Sequence, residues 1–485
     1  MKRRGLKLAA VVTLLLVAAG CTSVAGIDGI SNPMAGFASV DVRTQSVTGK
    51  KAVWVQSSRE AQAIAESVQG LVREKAIGPD MAVQVALLNN KGLQAAYADL
   101  GLSAADVWQE TMLANPRVSI GVTGIGVGRT IETAVVTNIL ALMTRPRRVA
   151  VADTRFRQAQ LRAAEETLRL AAQTRRAWIN AVSAWETVAY LNQAQAAADA
   201  ASALAQKLGE TGAFPKAAQA REHVFFAELA GQTAEARLAA RMAKEELTRL
   251  MGLWGNDVDY QVPNALPALP NVARTKRAIE AEALTNRVDL EVARLELEAL
   301  AQSYGLTEAT RYLSDLELLT GVEVEREKEQ EGGTETVVSG SVDVEFVIPI
   351  FDTGKARMRK AELAYMRAAN LLAEKAVSVR SEARSAYDAY RSTYDIARHY
   401  RNNVVPLRTT IEEESVLTYS GMITNTFELL ADTRAKINSV MLSLNAKRNF
   451  WLADVNLGTA VHGGGGASGG GWAAPAVAED GAGGH

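Results

Sequence analysis

The chain has 485 residues, a formal net charge of −1, 6% aromatic residues and one cysteine. Near-neutrality leaves no basic excess to track phosphates, which excludes nucleic acid as an expected partner, and a single cysteine excludes an internal disulfide. Length alone suggests roughly three compact domains, but abundant alanine and scarce aromatics point to something elongated.

Residues 1–20 read as a signal peptide. Lys2, Arg3, Arg4 and Lys7 form a basic start, Leu8 to Ala19 an apolar run, and small residues lead into Cys21. The end of this segment resembles a bacterial lipobox, with Ala18 where Leu is usual, so Cys21 is expected to carry palmitate and related acyl chains. Residues 21–55, rich in Gly, Ser and Thr, read as an ordered but irregular arm, followed by a short helix over Arg59 to Ala76. No other run approaches the eighteen or so apolar residues a spanning helix requires; any further crossing would use strands.

From Met81 the chain repeats itself. Ala86-Leu87-Leu88-Asn89-Asn90 recurs 197 positions later as Ala283-Leu284-Thr285-Asn286-Arg287, and Arg148 and Gly212 recur 209 positions later as Arg357 and Gly421. Each copy, 56–272 and 273–460, reads helix, strand, loop, strand, long helix, turn, helix. The residues gained by the second copy are expected in the charged loop Arg326 to Glu335. Long helices are expected over about 146–209 and 355–420, roughly 90 Å each at 1.5 Å per residue, with a kink at Pro406. Helices near 81–113, 216–252, 276–311 and 423–453 are about half as long, so pairs stacked end to end would match a long one. Trp178, Val182, Trp185 and Val188, and Ala383, Tyr387, Tyr390, Tyr394 and Ala397, fall at near coiled-coil spacing and read as core.

Strands are expected over about 117–143 and 315–350. Val118, Ile120 and Val122 alternate with polar or small residues. Leu316, Leu318, Val322 and Val324 alternate with Glu317, Gly321, Glu323 and Glu325; Val342, Val344, Phe346 and Ile348 alternate with Asp343 and Glu345. Such strands suit one face of a soluble sheet or a tilted membrane span of about ten residues. Exposed edges in two separated hairpins favour the second, because several chains closing a barrel would remove the edges. Glu317, Glu323, Asp343 and Glu345 would then line a wet lumen.

Other chemistry is poorly supported. His223, His399, His462 and His485 are scattered and suggest no metal site, and no cofactor motif is present. The glycine pattern at 121–128 lies in a strand with no helix after it, and no hydrolase motif occurs. The Gly-rich tail over 461–485 reads as disordered low-complexity sequence.

The stretches "ALLNNKGLQAAYADLGLSAADVWQETMLANP" at 86–116, "IPIFDTGKARMRKAELAY" at 348–365, "VVPL" at 404–407 and "YSGMITNTFELLADTRA" at 419–435 together resemble the TolC-like outer-membrane factors, over about residues 55 to 460. The lipidated start is similar to the lipoprotein branch of that family. The resemblance implies a mainly α fold with a small transmembrane β part: two repeats, and four strands per chain completing a twelve-stranded barrel in a homotrimer above a coiled-coil tunnel. It implies a passive, non-enzymatic duct in outer-membrane lipid, exporting drugs or metal ions. Its implied partners are a periplasmic adaptor (membrane fusion) protein and an inner-membrane pump of the RND type. It also implies a periplasmic gate near Glu428 and Asp432, and adaptor-contact tips at Gly212, Phe214 and Pro215 and at Gly421, Met422 and Ile423. A type I protein secretion duct and a periplasmic coiled-coil structural lipoprotein remain alternatives.

Overall fold

The computed structural model describes residues 27–465 apart from 74, 125–127, 213–214, 276–277, 314, 329–333 and 421–425. Cys21, Phe214, Gly421, Met422 and Ile423 lie outside the described residues, as does the tail beyond Gly465.

The N-terminal arm contains more helix than its composition suggests. Helix α1 is Ile27–Ile30 and α2 is Phe37–Thr48, the latter bounded by Gly36 and Gly49, both with positive φ. A side chain at Gly36 would run into Phe156 and Gln160 of the long helix, so glycine lets the arm lie directly on it. Phe37 packs edge-on against Tyr97 at 4.9 Å. Helix α3, Ser58–Val72, starts with a reciprocal cap: Glu60 N donates to Ser57 Oγ and Gln56 N donates to the Glu60 carboxylate.

The first repeat contains α4 (Pro79–Asn89), α5 (Lys91–Thr111), β1 (Arg117–Thr123), β2 (Arg129–Asn138), α6 (Ile139–Glu210) and α7 (Lys216–Met251). The second contains α8 (Ile279–Asn286), α9 (Val288–Ala309), β3 (Leu316–Lys328), β4 (Thr334–Phe346), α10 (Lys355–His399), a π turn (Tyr400–Val404), α11 (Val405–Ser420) and α12 (Thr426–His462).

The half-length helix expected over 81–113 is broken at Asn90, and that expected over 276–311 is broken at Arg287, the matching repeat position. Two different chemistries serve this joint. Asn90 accepts from Leu93 N to cap α5 and donates to the Leu250 carbonyl at the end of α7. Arg287 caps nothing; it donates to both oxygens of Asp289 at 2.9 and 2.8 Å and pairs with Glu382 of α10. Lys375 adds a contact to Asp289 at 3.2 Å.

Helix α6 has 72 residues, about 110 Å. It starts at Ile139, seven residues before Pro146, because Asn138 accepts from Ala141 N and stops β2 at that point. Pro146 sits in its second turn, where Arg148 donates to the Ala141 carbonyl. In the second repeat Pro406 is met by the π turn: Val405 N–H reaches back five residues to the Tyr400 carbonyl, a wider turn that accommodates the missing donor and the ring.

Alternation and turn chemistry explain the sharp change of period at residue 350. Asp352 Oδ1 accepts from Gly354 N at 2.8 Å, and Arg311 Nε donates to the Thr353 carbonyl. Gly354 has φ 71° and lies against the Arg311 backbone, closing the turn before α10.

The four strands form one antiparallel sheet in the order β1-β2-β3-β4. The hairpins are therefore not separate: Arg129 to Asn138 of β2 pairs with Arg326 to Glu317 of β3. The extra residues of the second copy largely extend strands, since β3 and β4 have 13 residues each against 7 and 10 in β1 and β2.

Helical packing forms two large cores, one joining the arm, α3 to α7 and Trp178, the other built on Tyr390, Tyr394 and Phe450. Trp178 donates to the Ile77 carbonyl at 2.7 Å. The connector between repeats crosses the helices like a strap. Leu266 N donates to Glu186 of α6, Trp451 of α12 donates to the Pro267 carbonyl, and Tyr394 of α10 donates to the carbonyls of Pro270 and Asn271.

Candidate functional site

Register assigns every strand residue to a face of the sheet. One face carries Val118, Ile120 and Val122 of β1, Ile131 and Val135 of β2, Leu316, Leu318, Val322 and Val324 of β3, and Val338, Val342, Val344 and Phe346 of β4. This face is exposed, with Ile120 at 70% and Val342 at 72% relative accessibility. Both faces of β1 and β4 are exposed, so the apolar side is not hidden as it is in a soluble sheet.

The opposite face carries Glu132, Glu317, Glu323, Glu325, Asp343 and Glu345. All four carboxylates singled out in the sequence, Glu317, Glu323, Asp343 and Glu345, fall on this side. Glu317 stands opposite Glu345, and Glu132 opposite Glu323. Like charges directly opposite destabilise a sheet. Among the described residues only Glu317 is neutralised by an arginine in the sheet, Arg117 of β1. Glu132 was missed in the sequence because β2 has a weak alternation: Val135 and Val136 are adjacent, and only the register separates their faces; Arg117, the first residue of β1, was missed because its partner Glu317 is brought to it only by the sheet. Edges β1 and β4 have no strand partner among the described residues.

The other end of the helices is built from the α6–α7 turn and the junction of α11 with α12. Gly212 adopts φ 76° in the turn that ends α6, where its N–H donates to the Gly209 carbonyl, and Pro215 is the residue before α7. Glu428 is exposed in the first turn of α12. Asp432, one turn on, is half-buried and accepts from Ser415 Oγ of α11 at 2.5 Å. Lys436 pairs with Glu412 on the same two helices. Arg434 crosses to the first repeat, donating to the buried Glu222 at 2.7 Å with its guanidinium 4.4 Å from the Phe225 ring centre. Ser415, Glu412, Arg434 and Glu222 were not singled out in the sequence; the spacing of Asp432, Lys436 and Arg434 within one helix turn was the available signal.

Among the described residues no helix is long and apolar enough to cross a membrane, and no group of three or more His, Cys, Asp or Glu is arranged to hold a metal ion.

Solved structures share the fold. A membrane protein from Pseudomonas aeruginosa superposes with a TM-score of 0.68 at 16% identity, over 79% of this chain and 93% of that one. The Campylobacter jejuni CmeC outer membrane channel gives 0.66 at 17% identity, over 80% and 86%. The outer membrane protein VceC from Vibrio cholerae gives 0.65 at 14% identity, over 79% and 96%. The chain has the fold of the TolC-like outer-membrane factors. No protein-family profile matches the sequence, and no curated protein matches it.

Proposed function

We propose that the chain is the outer-membrane exit duct of a tripartite efflux system, a passive channel assembled as a homotrimer. The observation that carries this reading is the sheet: an exposed apolar face, an acidic opposite face and two edges without a strand partner among the described residues, continuous with a helix about 110 Å long. Four strands are too few to close a barrel, and small closed barrels have about eight. Three copies supply twelve strands, join β1 of each to β4 of the next, and satisfy all backbone groups within lipid. The apolar face then meets lipid and the carboxylates meet water.

In this reading residues 1–20 direct export, Cys21 carries the acyl anchor and the helices reach into the periplasm. A periplasmic adaptor docks on the turns at Gly212 to Pro215 and Gly421 to Ile423, and an inner-membrane pump of the RND type drives drugs or metal ions toward the duct. Three-fold symmetry repeats Glu428 and Asp432 around the periplasmic end, where a ring of carboxylates favours cations and resists close approach. Asp432 has a second role within each chain, since Ser415 ties it across the α11–α12 pair.

Planar-bilayer recording of the purified oligomer tests the proposal. Discrete conductance is expected, rising several-fold in the Glu428→Gln, Asp432→Asn double variant. Complete absence of channels from an intact trimer refutes a duct.

A further inference from the structure

Trp185 was expected in the core with Trp178, Val182 and Val188, but it is only half-buried. It lines a groove of about 360 Å³ between α6, α7 and the strap. Val188 and Val262 supply apolar walls, while Lys244, Gln261 and Asn264 supply polar groups. The Trp185 indole N–H, the side-chain amides of Gln261 and Asn264 and the Lys244 ammonium have no hydrogen-bond or ion-pair partner among the described residues. Lys244 is instead poised 4.6 Å from the ring centre of Tyr260. Tyr260 itself is committed to the fold: its hydroxyl meets Thr248 Oγ1 at 2.9 Å, and burial pushes its pKa up to about 12.

We infer that this groove binds a glycan of β-linked N-acetyl amino sugars, the chemistry of the cell-wall polymer. A half-exposed indole offers a flat apolar surface to the C–H face of a pyranose ring and an N–H at its edge. Two unpaired amides match an acetamido group, donating to its carbonyl and accepting its N–H, and the valines receive its methyl. Among the described residues no carboxylate lines the groove, and the ammonium of Lys244 suits the carboxylates of the peptides that cell-wall glycans carry. Trp185 lies 46 residues along α6 from Ile139, ~70 Å from the membrane end at 1.5 Å per residue. The strap must run outside the helices, because on the inside it would obstruct the lumen. This placement rests on the duct reading above.

The test uses the full-length oligomer in detergent: co-sedimentation with purified murein sacculi, and tryptophan fluorescence titration with chitotetraose, with dextran and lipopolysaccharide as comparison ligands. Saturable binding to sacculi and chitotetraose is expected, with at least a tenfold loss of affinity in Trp185→Ala and in Asn264→Ala. Asn264 is exposed, so its variant folds independently of any packing role of Trp185. Equal binding of dextran, binding of lipopolysaccharide alone, no binding by the parent protein, or undiminished affinity in both variants overturns the inference. Bilayer conductance of the same preparation is read separately, so a failed glycan site with intact channels leaves the duct standing.

Discussion

Glu132 of β2 and Glu323 of β3 stand directly opposite one another on the acidic face of the sheet. Such a pair costs stability, by roughly 0.2–1 kcal/mol for like charges across strands; on the lumen side proposed for this face it would favour cations. The Glu132→Gln variant is expected to raise thermal stability slightly and to lower cation selectivity. Reversal potentials under a salt gradient check this: the parent channel prefers cations and the variant prefers them less. An anion-selective parent would remove the lumen assignment of this face.

The two repeat joints should respond unequally to substitution. Asn90→Ala removes a cap and a bond to Leu250, a loss of about 1–2 kcal/mol. Arg287→Gln leaves Asp289, 6% exposed, without its principal partner, and breaking a buried pair in this way costs about 3–5 kcal/mol. Denaturant titration of the two variants should give the larger loss at position 287. Burial alone would raise the Asp289 pKa, but the hydrogen bonds and charge of Arg287, with Lys375, bring it below the ordinary carboxylate value. The pair is therefore charged at neutral pH.

Glu165 of α6, beside the same network, behaves in the opposite sense. Burial, and after it the Asp289 carboxylate, push its pKa above the ordinary range, with Lys375 and Arg287 opposing. The native state then holds this proton more tightly than the unfolded chain, so the stabilisation is complete below the unfolded value and is lost as pH rises through the folded one. Glu165→Gln is expected to flatten the fall in melting temperature between mildly acidic and neutral pH. A parent and variant with parallel pH profiles would show that Glu165 does not contribute.

The helix–strand–helix order of both repeats was legible because β1, β3 and β4 alternate cleanly and because Pro and Gly are absent across long Ala-rich runs. Register was not legible in β2, where Leu140, Leu142 and Met143 continue an apolar run beyond Asn138; the asparagine cap, one side-chain bond to Ala141 N, decides the boundary. The breaks at Asn90 and Arg287 were hidden for a similar reason. Each has a local part, the Asn90 cap on Leu93 N or the Arg287 bonds to Asp289, and a partner far along the chain, Leu250 or Glu382, of which local propensity carries no trace. Gly212 and Pro215, expected at a tip, announce a turn by their own backbone preferences, whereas the bond from Ser415 to Asp432, expected at the gate, exists only once α11 and α12 are paired.

Oligomeric state without the lipid anchor tests the central claim most directly. Cys21→Ala, expressed with its export signal, should still fractionate with outer membranes and, extracted in detergent, should have three times the mass of the chain by light scattering after correction for detergent. Recovery of that variant as a soluble periplasmic monomer would mean that the apolar sheet face does not meet lipid and that no barrel forms.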